Sequence, residues 1–433
     1  MNMNKQLKTI CTLALLAAIP IATQAGLTLD HCQQMAQDNY PLLKKYEIIR
    51  QTTDYTITNI NRGWLPKLAV SGQVSYQSAV ATLPDVLAGM LQSNGYDVKG
   101  LDKDQYRLAI DANQTLWDGG NMKAQKQVAE MEGKVQSAQT DVDMYAIRER
   151  VNNLFFGILL IEDKIQLNND LQKLLLSNCT KLENMILGGT AMKADVDVVK
   201  AEYLKTKQQM TELEHMKKSY QEMLAIFTNQ KVEAITNLKQ PEAYVPISNV
   251  NNRPELQLFA NQTMRIESRK KLLDSSIRPR LSLFAQGWYG YTGYDMFNDM
   301  FDHDWTLNGI IGLRVSWNIS NLYTHKNDSR KLEMDRNQVQ TAQDVFLFNN
   351  SLLSAQQQTQ IDQYRKMTEE DTDIINLRTS VRQAAESKLE HGIIDVNNLL
   401  QEITRENQAR TDRSTHEVEM MKSIYELKNT INQ

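Results

Sequence analysis

Trp64-Leu65-Pro66-Lys67-Leu68-Ala69-Val70-Ser71-Gly72-Gln73-Val74-Ser75-Tyr76 is a proline corner followed by a run of period two, and the chain carries it twice. The second copy reads Ile277-Arg278-Pro279-Arg280-Leu281-Ser282-Leu283-Phe284-Ala285-Gln286-Gly287-Trp288-Tyr289. Pro66 and Pro279 are 213 residues apart, as are Pro41 of Asn39-Tyr40-Pro41-Leu42-Leu43 and Pro254 of Asn252-Arg253-Pro254-Glu255-Leu256. Gln73 with Gln286 and Tyr76 with Tyr289 keep the same offset. A constant offset over several landmarks marks an internal duplication.

A residue before proline is pushed towards extended backbone, and strands follow each corner. Leu68, Val70, Val74 and Tyr76 share one face, opposite Ser71, Gln73, Ser75 and Gln77. Further on, Tyr106, Leu108, Ile110 and Ala112 oppose Arg107, Asp111, Asn113 and Thr115. In the second copy Leu281, Leu283 and Tyr289 oppose Ser282 and Gln286, and Leu307, Ile311, Leu313, Val315 and Trp317 oppose Asn308, Arg314, Ser316 and Asn318. Each run is about ten residues, the length of a tilted strand crossing a bilayer. Such alternation also suits a half-buried soluble sheet. The aromatics at the strand ends favour the membrane: Trp64, Tyr76, Tyr106, Trp117, Trp288, Tyr289, Tyr291, Trp305 and Trp317 stand where interfacial girdles form. Four strands cannot close a barrel alone, whereas three subunits would contribute twelve.

The rest of the chain reads as helix. No proline lies between Pro84 and Pro241 or after Pro279, so nothing of the kind that breaks helices interrupts those tracts. Val128, Met131, Val135, Ala138, Val142 and Tyr145 step by three and four, and Ile147, Val151, Leu154, Ile158, Ile161 and Ile165 continue the pattern. Ile374, Leu377, Val381 and Ala384 repeat it late in the chain. The spacing predicts a helix from about Asn121 to Leu187, ended by Gly188-Gly189, and another from about Tyr323 to His391, ended by Gly392. Some 65 residues at about 1.5 Å each make a rod of about 100 Å, far longer than a globular-domain helix. The two glycine breaks are 203 residues apart, so the second copy has a shorter inter-strand loop, about residues 292–305 against 78–105. The expected organisation is a signal peptide over 1–25 and two structural repeats over 26–240 and 241–433.

Lys5 and Lys8, the apolar stretch from Ile10 to Ala22 and Thr23-Gln24-Ala25 form that export signal, with the mature chain starting near Gly26. No apolar run reaches the ~18–20 residues of a spanning helix, so a membrane crossing would need a closed barrel. A net charge of −4 over 433 residues gives no reason to expect nucleic acid as a partner. Cys11 sits too early for lipid attachment, and Cys32 and Cys179 make no disulfide framework. Export permits a disulfide between them, but free, half-buried thiols are the simpler expectation.

In this order and duplicated, the motifs resemble the TolC-like outer-membrane efflux family over nearly all of the mature chain. The matching residues are Leu27-Thr28-Leu29 with Ala36 and Asn39-Tyr40-Pro41, the Gly63-Trp64-Leu65-Pro66 corner, and Gln114-Thr115-Leu116-Trp117-Asp118-Gly119-Gly120. Gly189 followed by Asp195-Val196 and Ala201-Glu202, then Asn252-Arg253-Pro254-Glu255-Leu256, complete the set. The resemblance implies a mainly α fold: a long-helix α-barrel tunnel joined to a shared transmembrane β-barrel with four strands per subunit, internally duplicated and trimeric. It also implies an outer-membrane channel of a Gram-negative bacterium with a periplasmic helical extension. The partners implied are two further copies, outer-membrane lipid, a periplasmic adaptor (membrane fusion) protein and an inner-membrane transporter of RND or ABC type. Export would be passive and driven by that transporter, with small molecules the expected cargo. The exit duct of a type I protein secretion system is the alternative, and a non-channel periplasmic coiled-coil scaffold a further one.

In some members of that family an acidic ring narrows the periplasmic end, six and nine residues after the second helix-breaking glycine. Counted from Gly392, those places hold Asn398 and Gln401, so the acidic pattern does not carry over. Asp195 and Asp395 are substitute candidates for the constriction, with a solvated helix surface as the simpler reading of each. Gly189, Thr190 and Ala191, with Gly392, Ile393 and Ile394, would be the tips that meet the adaptor, and equally plain helix–helix turns. Trp64, Pro66, Trp117, Pro279 and Trp317 form the candidate barrel corner and girdle. The loop over 78–105, with Asp85, Asn94, Asp97, Asp102 and Asp104, is expected to be external and mobile. Met131, Met144, Met185 and Met223 read as core filling. Enzyme motifs are missing: His31, His215, His303, His325, His391 and His416 are scattered, and no HExxH, GxSxG or GxxxxGK[ST] occurs. No cofactor or metal is expected.

Overall fold

The computed structural model describes residues 27–98, 100–245 and 251–432; the export signal read over 1–25 lies outside them. The helices are α1 (Leu29–Asn39), α2 (Leu43–Asn61), α3 (Asp85–Ser93), α4 (Asn121–Leu187), α5 (Lys193–Thr228), α6 (Pro254–Ser276), α7 (Asn321–Glu390) and α8 (Val396–Ile431). The strands are β1 (Lys67–Tyr76), β2 (Asp104–Trp117), β3 (Arg280–Tyr291) and β4 (Thr306–Ser316). Two compact units emerge: one contains the chain up to Leu43, Asp143–Arg253 and the chain from Phe348, and the other Lys44–Val142 and Pro254–Leu347. Each unit therefore draws on both sequence repeats, and α4 and α7 contribute to both.

The duplication is sharpest in the helices. α5 and α8 are both 36 residues long, and each end of one maps onto the other at the 203-residue offset. Both close on an asparagine in the left-handed region, Asn229 (φ 52°) and Asn432 (φ 57°), a conformation Asn tolerates better than most residues. α4 runs for 67 residues and α7 for 70, lengths that require lateral packing for stability.

In the first unit Leu175, Cys179 and Leu182 of α4, Val196 and Val199 of α5, Ala385 and Leu389 of α7, and Val396, Leu399 and Ile403 of α8 make one core. Phe155 and Phe156 are fully buried, with Phe156 against Tyr425 at 5.6 Å. Tyr145 donates its hydroxyl to the Asn429 carbonyl at 2.7 Å, and the Arg253 guanidinium lies 4.5 Å from the same ring. Cys32 and Cys179 are free and buried rather than half-buried, and burial pushes the Cys32 thiol up to about 12. In the second unit Val135 and Ala138 of α4 pack on Leu258 of α6, and Phe259 meets Phe346 at 6.0 Å.

The two apolar stripes read on α4 are covered, with Val151 and Ile158 fully buried. The stripe read on α7 is not. Ile374, Leu377 and Val381 are exposed, and the buried face of that helix carries Ile361, Asp371, Ile375, Ala385 and Leu389 instead. The apolar period is real, but among the described residues nothing covers it. Met223 is likewise exposed.

The sheet is an antiparallel meander in the order β1-β2-β3-β4. Register is continuous from Lys67↔Asn113 to Tyr76↔Asp104, from Tyr106↔Tyr291 to Thr115↔Ser282, and from Arg280↔Ser316 to Gly290↔Thr306. A single bulge falls between Thr115 and Trp117, opposite Leu281. Among the described residues β1 and β4 are the two edges, each pairing on one side only.

Candidate functional site

Directly opposite residues of an antiparallel pair point to the same side, so the register sorts every strand position onto one of two faces. One face holds Leu68, Val70, Val74 and Tyr76, then Tyr106, Leu108, Ile110 and Ala112, then Leu281, Leu283, Ala285 and Tyr289, then Leu307, Ile311, Leu313 and Val315. Within the described strands its only charge is Asp104, at the extreme end of β2. Most of these apolar side chains are open, Leu68 and Ile311 each 71% exposed, while Ala112, Leu281, Leu283 and Ala285 on the inner strands are half-buried. A soluble sheet buries its apolar face; this one presents it, as a lipid-facing barrel strand does.

Aromatic side chains bound that face at both ends. At one end Trp305 packs on Tyr106 (5.8 Å between centroids) and Tyr289 (5.4 Å), beside exposed Tyr76. At the other end Trp64, Trp117 and Trp317 are exposed beside the Pro66 and Pro279 corners. The Trp317 indole donates to the Ile277 carbonyl at 2.8 Å, tying the end of β4 to the second corner. Two aromatics expected in these girdles belong elsewhere. Trp288 has the parity of the opposite face, where the Arg107 guanidinium covers its ring at 4.1 Å and Tyr294 meets it edge-on at 4.5 Å. Tyr291 is 3% exposed beneath the inter-strand loops.

The opposite face is polar: Lys67, Ser71, Gln73 and Ser75; Gln105, Arg107, Asp111, Asn113 and Thr115; Arg280, Ser282 and Gln286; Thr306, Asn308, Arg314 and Ser316. Gln286 bridges its charges, accepting from Arg107 Nη2 at 2.7 Å and donating to Asp111 Oδ1. Arg314 lies over Phe284 at 4.5 Å. A cavity of about 360 Å³ opens on this side near Arg107, Gln286, Trp288 and Tyr294.

The inter-strand loops are more ordered than their composition suggests. Asp85–Ser93 forms α3 where the sequence alone suggests a loop. Tyr291 donates its hydroxyl to the Asp299 carbonyl at 3.0 Å and accepts from the Asp102 amide at 3.1 Å. His303 lies 3.1 Å from Asp102 Oδ2 and 2.9 Å from the Gly100 carbonyl. Leu101, Tyr291 and Met300 form a small core beneath Val80 and Leu83. Here His303 acts as a brace between the loops. Among the described residues no group of three or more His, Cys, Asp or Glu side chains converges as a metal site.

The helix turns far along the chain from the sheet have the same build in both repeats. Gly189 (φ 73°) and Gly392 (φ 68°) hold the left-handed position. Thr190 N donates to Met185 O at 2.9 Å and Ile393 N to Lys388 O at 2.8 Å, while Gly189 N reaches Ile186 O and Gly392 N reaches Leu389 O. This is the paired closure of a Schellman motif. Asp195 accepts from the Met192 amide at 2.8 Å, and Asp395 from the Asn398 amide at 2.8 Å. At the 203-residue offset Met192 matches Asp395 and Asp195 matches Asn398, so each repeat keeps a different half of one capping box. Asn398 and Gln401 are exposed on the first turns of α8. Leu187, Met192 and Ile393 project as exposed apolar side chains from the two turns. Lys181 and Glu390 pair at 3.2 Å across α4 and α7.

Sequence reading missed one charged cluster. Glu406, 5% exposed, is bound by Arg382, by Arg410 Nη2 at 2.7 Å and by Thr379 Oγ1 at 2.7 Å. Burial pushes its carboxyl up, but the three hydrogen bonds outweigh that and hold it below the ordinary range. Arginine every few residues on α8 resembles an ordinary solvated face, so no sequence signal separated this cluster.

No family model and no curated protein sequence matches the chain. Solved structures do. VceC, an outer-membrane protein of Vibrio cholerae, superposes with a TM-score of 0.66 at 11% identity, covering 93% of this chain and 95% of that one. The CmeC outer-membrane channel of Campylobacter jejuni gives 0.64 at 13% identity, over 93% and 85%. The open state of the MtrE outer-membrane channel of Neisseria gonorrhoeae gives 0.62 at 11%, over 93% and 88%. The fold is therefore that of TolC-like outer-membrane channels, and the likeness spans the sheet and the long helices together.

Proposed function

We propose that this chain is one subunit of an outer-membrane exit duct in a Gram-negative bacterium. Three copies pair edge to edge through β1 and β4 into a shared twelve-stranded barrel, with the apolar face against lipid and the polar face lining the pore. The long helices form a periplasmic tunnel wall. The exposed stripe of Ile374, Leu377 and Val381 suits burial against a neighbouring copy. The turns at Gly189-Thr190 and Gly392-Ile393, with their exposed apolar side chains, are the contact for a periplasmic adaptor. An inner-membrane transporter of RND or ABC type supplies the energy, and the duct conducts small molecules passively. Asp195, Asp395, Asn398 and Gln401 stand beside those turns, where a constriction ring would form.

The observation that carries this reading is the sorting of strand positions by register: one face is apolar, mostly exposed and uncharged except for Asp104 at the end of β2, the other holds the remaining strand charges, and β1 and β4 each pair on one side only among the described residues. Reconstitution tests it: the purified protein requires detergent and gives discrete conductance steps in planar bilayers. A water-soluble monomer without detergent would sink it.

A further inference from the structure

Every strand places one cation on the polar face: Lys67 on β1, Arg107 on β2, Arg280 on β3 and Arg314 on β4. One carboxylate answers them. Asp111 is joined to Arg107 through Gln286, which leaves that end of the face balanced. Lys67, Arg280 and Arg314 form no ion pair among the described residues, and all three are exposed. Register puts them together at the corner end of the sheet, opposite Asn113, Ser316 and Ser282, which carry no charge. Two acidic groups beside that end are engaged elsewhere: Asp118, just past the end of β2, is buried and accepts from the Gly120 and Met122 amides, and Asp274, six residues before Arg280, pairs with His325 at 2.9 Å.

We propose that Lys67, Arg280 and Arg314 make the β-segment of the duct prefer anions. The inference deepens the channel reading and rests on it, because only a closed barrel turns this face into a lumen. Three copies then form a collar of cations where the pore passes from strands to helices. Rings of Lys or Arg attract anions into a low-dielectric channel, and the Debye length of about 10 Å at 0.1 M salt lets their field reach into a narrow lumen. Arg314 is held against the Phe284 ring, so its charge stays on the wall. The preferred solutes are anions in general, from chloride to organic carboxylates and sulfonates.

The test is the reversal potential of the full-length protein in planar bilayers under a KCl gradient. Chloride should permeate roughly threefold better than potassium near 0.1 M salt and lose that advantage near 1 M, where the Debye length is about 3 Å. The variant K67Q/R280Q/R314Q should move the reversal potential to the potassium side, while K67R/R280K/R314K keeps the chloride preference. If the glutamine variant fails to insert, K67Q, R280Q and R314Q are measured singly, and each should shift the potential in the same direction. A conducting wild type that prefers potassium or neither ion, or glutamine variants that leave the potential unchanged, overturns the inference while the duct stands. A wild type without conductance steps overturns the duct, and this inference with it.

Discussion

At the scale of single residues the two helix turns carry a clear division of labour. Asp195 and Asp395 each satisfy one amide left open at a helix start, from opposite sides of the same capping box. Asp195→Ala and Asp395→Ala should each lower stability by about 0.5–2 kcal/mol, read as a shift in the denaturant midpoint. A constriction role for either residue would show separately, as a change in conductance. Glu406 defines a second prediction. Its folded-state carboxyl is held below the ordinary range by Arg410, Thr379 and Arg382. Its contribution is therefore complete above the unfolded pKa, about 4.3, and is lost as pH falls through the lower folded value. Glu406→Gln should flatten the fall in stability measured by acid titration in that window.

At the scale of elements the sheet offers a contrast between adjacent positions. Val70 lies on the apolar face and Ser71 on the polar one. Val70→Arg places a charge on the face proposed to meet lipid and should cost about 2–4 kcal/mol if it sits near the midplane; Ser71→Arg should fold and insert normally. Equal effects in a detergent-to-liposome folding assay would refute the assignment of faces. Between α4 and α5 the approach is set by Gly157, where an added Cβ would lie 2.5 Å from Tyr220 Cε2. Replacing a helix-interior glycine by alanine ordinarily gains about 1 kcal/mol. Overpacking costs about 1–3 kcal/mol and should win here, so Gly157→Ala destabilises, as thermal denaturation would show.

At the scale of the whole molecule the proposed assembly has definite surfaces to cover. β1 and β4 each leave one edge unpaired, and the α7 stripe of Ile374, Leu377 and Val381 stands open. Unpaired edges and an exposed apolar stripe are what association covers. Native mass measurement in detergent should give three copies, and Leu377→Glu should weaken assembly while leaving the secondary structure intact. A stable monomer that conducts would contradict the shared barrel.

Much of this architecture was legible in the sequence because it is set locally. Period two after Pro66 and Pro279, period three-and-four through α4, and the glycines at 189 and 392 each reflect the backbone of a few neighbouring residues. The duplication added a check that no single motif supplies, since α5 and α8 keep the same length and the same terminal asparagine. Residues 78–105 read as loop, although Pro84 before α3 and Asn94-Gly95 after it are start and stop signals; nine residues are too few for a period to stand out. What covers a face belongs to pairs of elements, and only the tertiary structure decided it. It placed Trp288 under Arg107 on the polar side, left the α7 stripe uncovered, and gathered Arg382 and the partly exposed Arg410 around the buried Glu406. Periodicity shows that a segment has an apolar side; burial depends on which partner arrives there, and that is a property of the assembled chain.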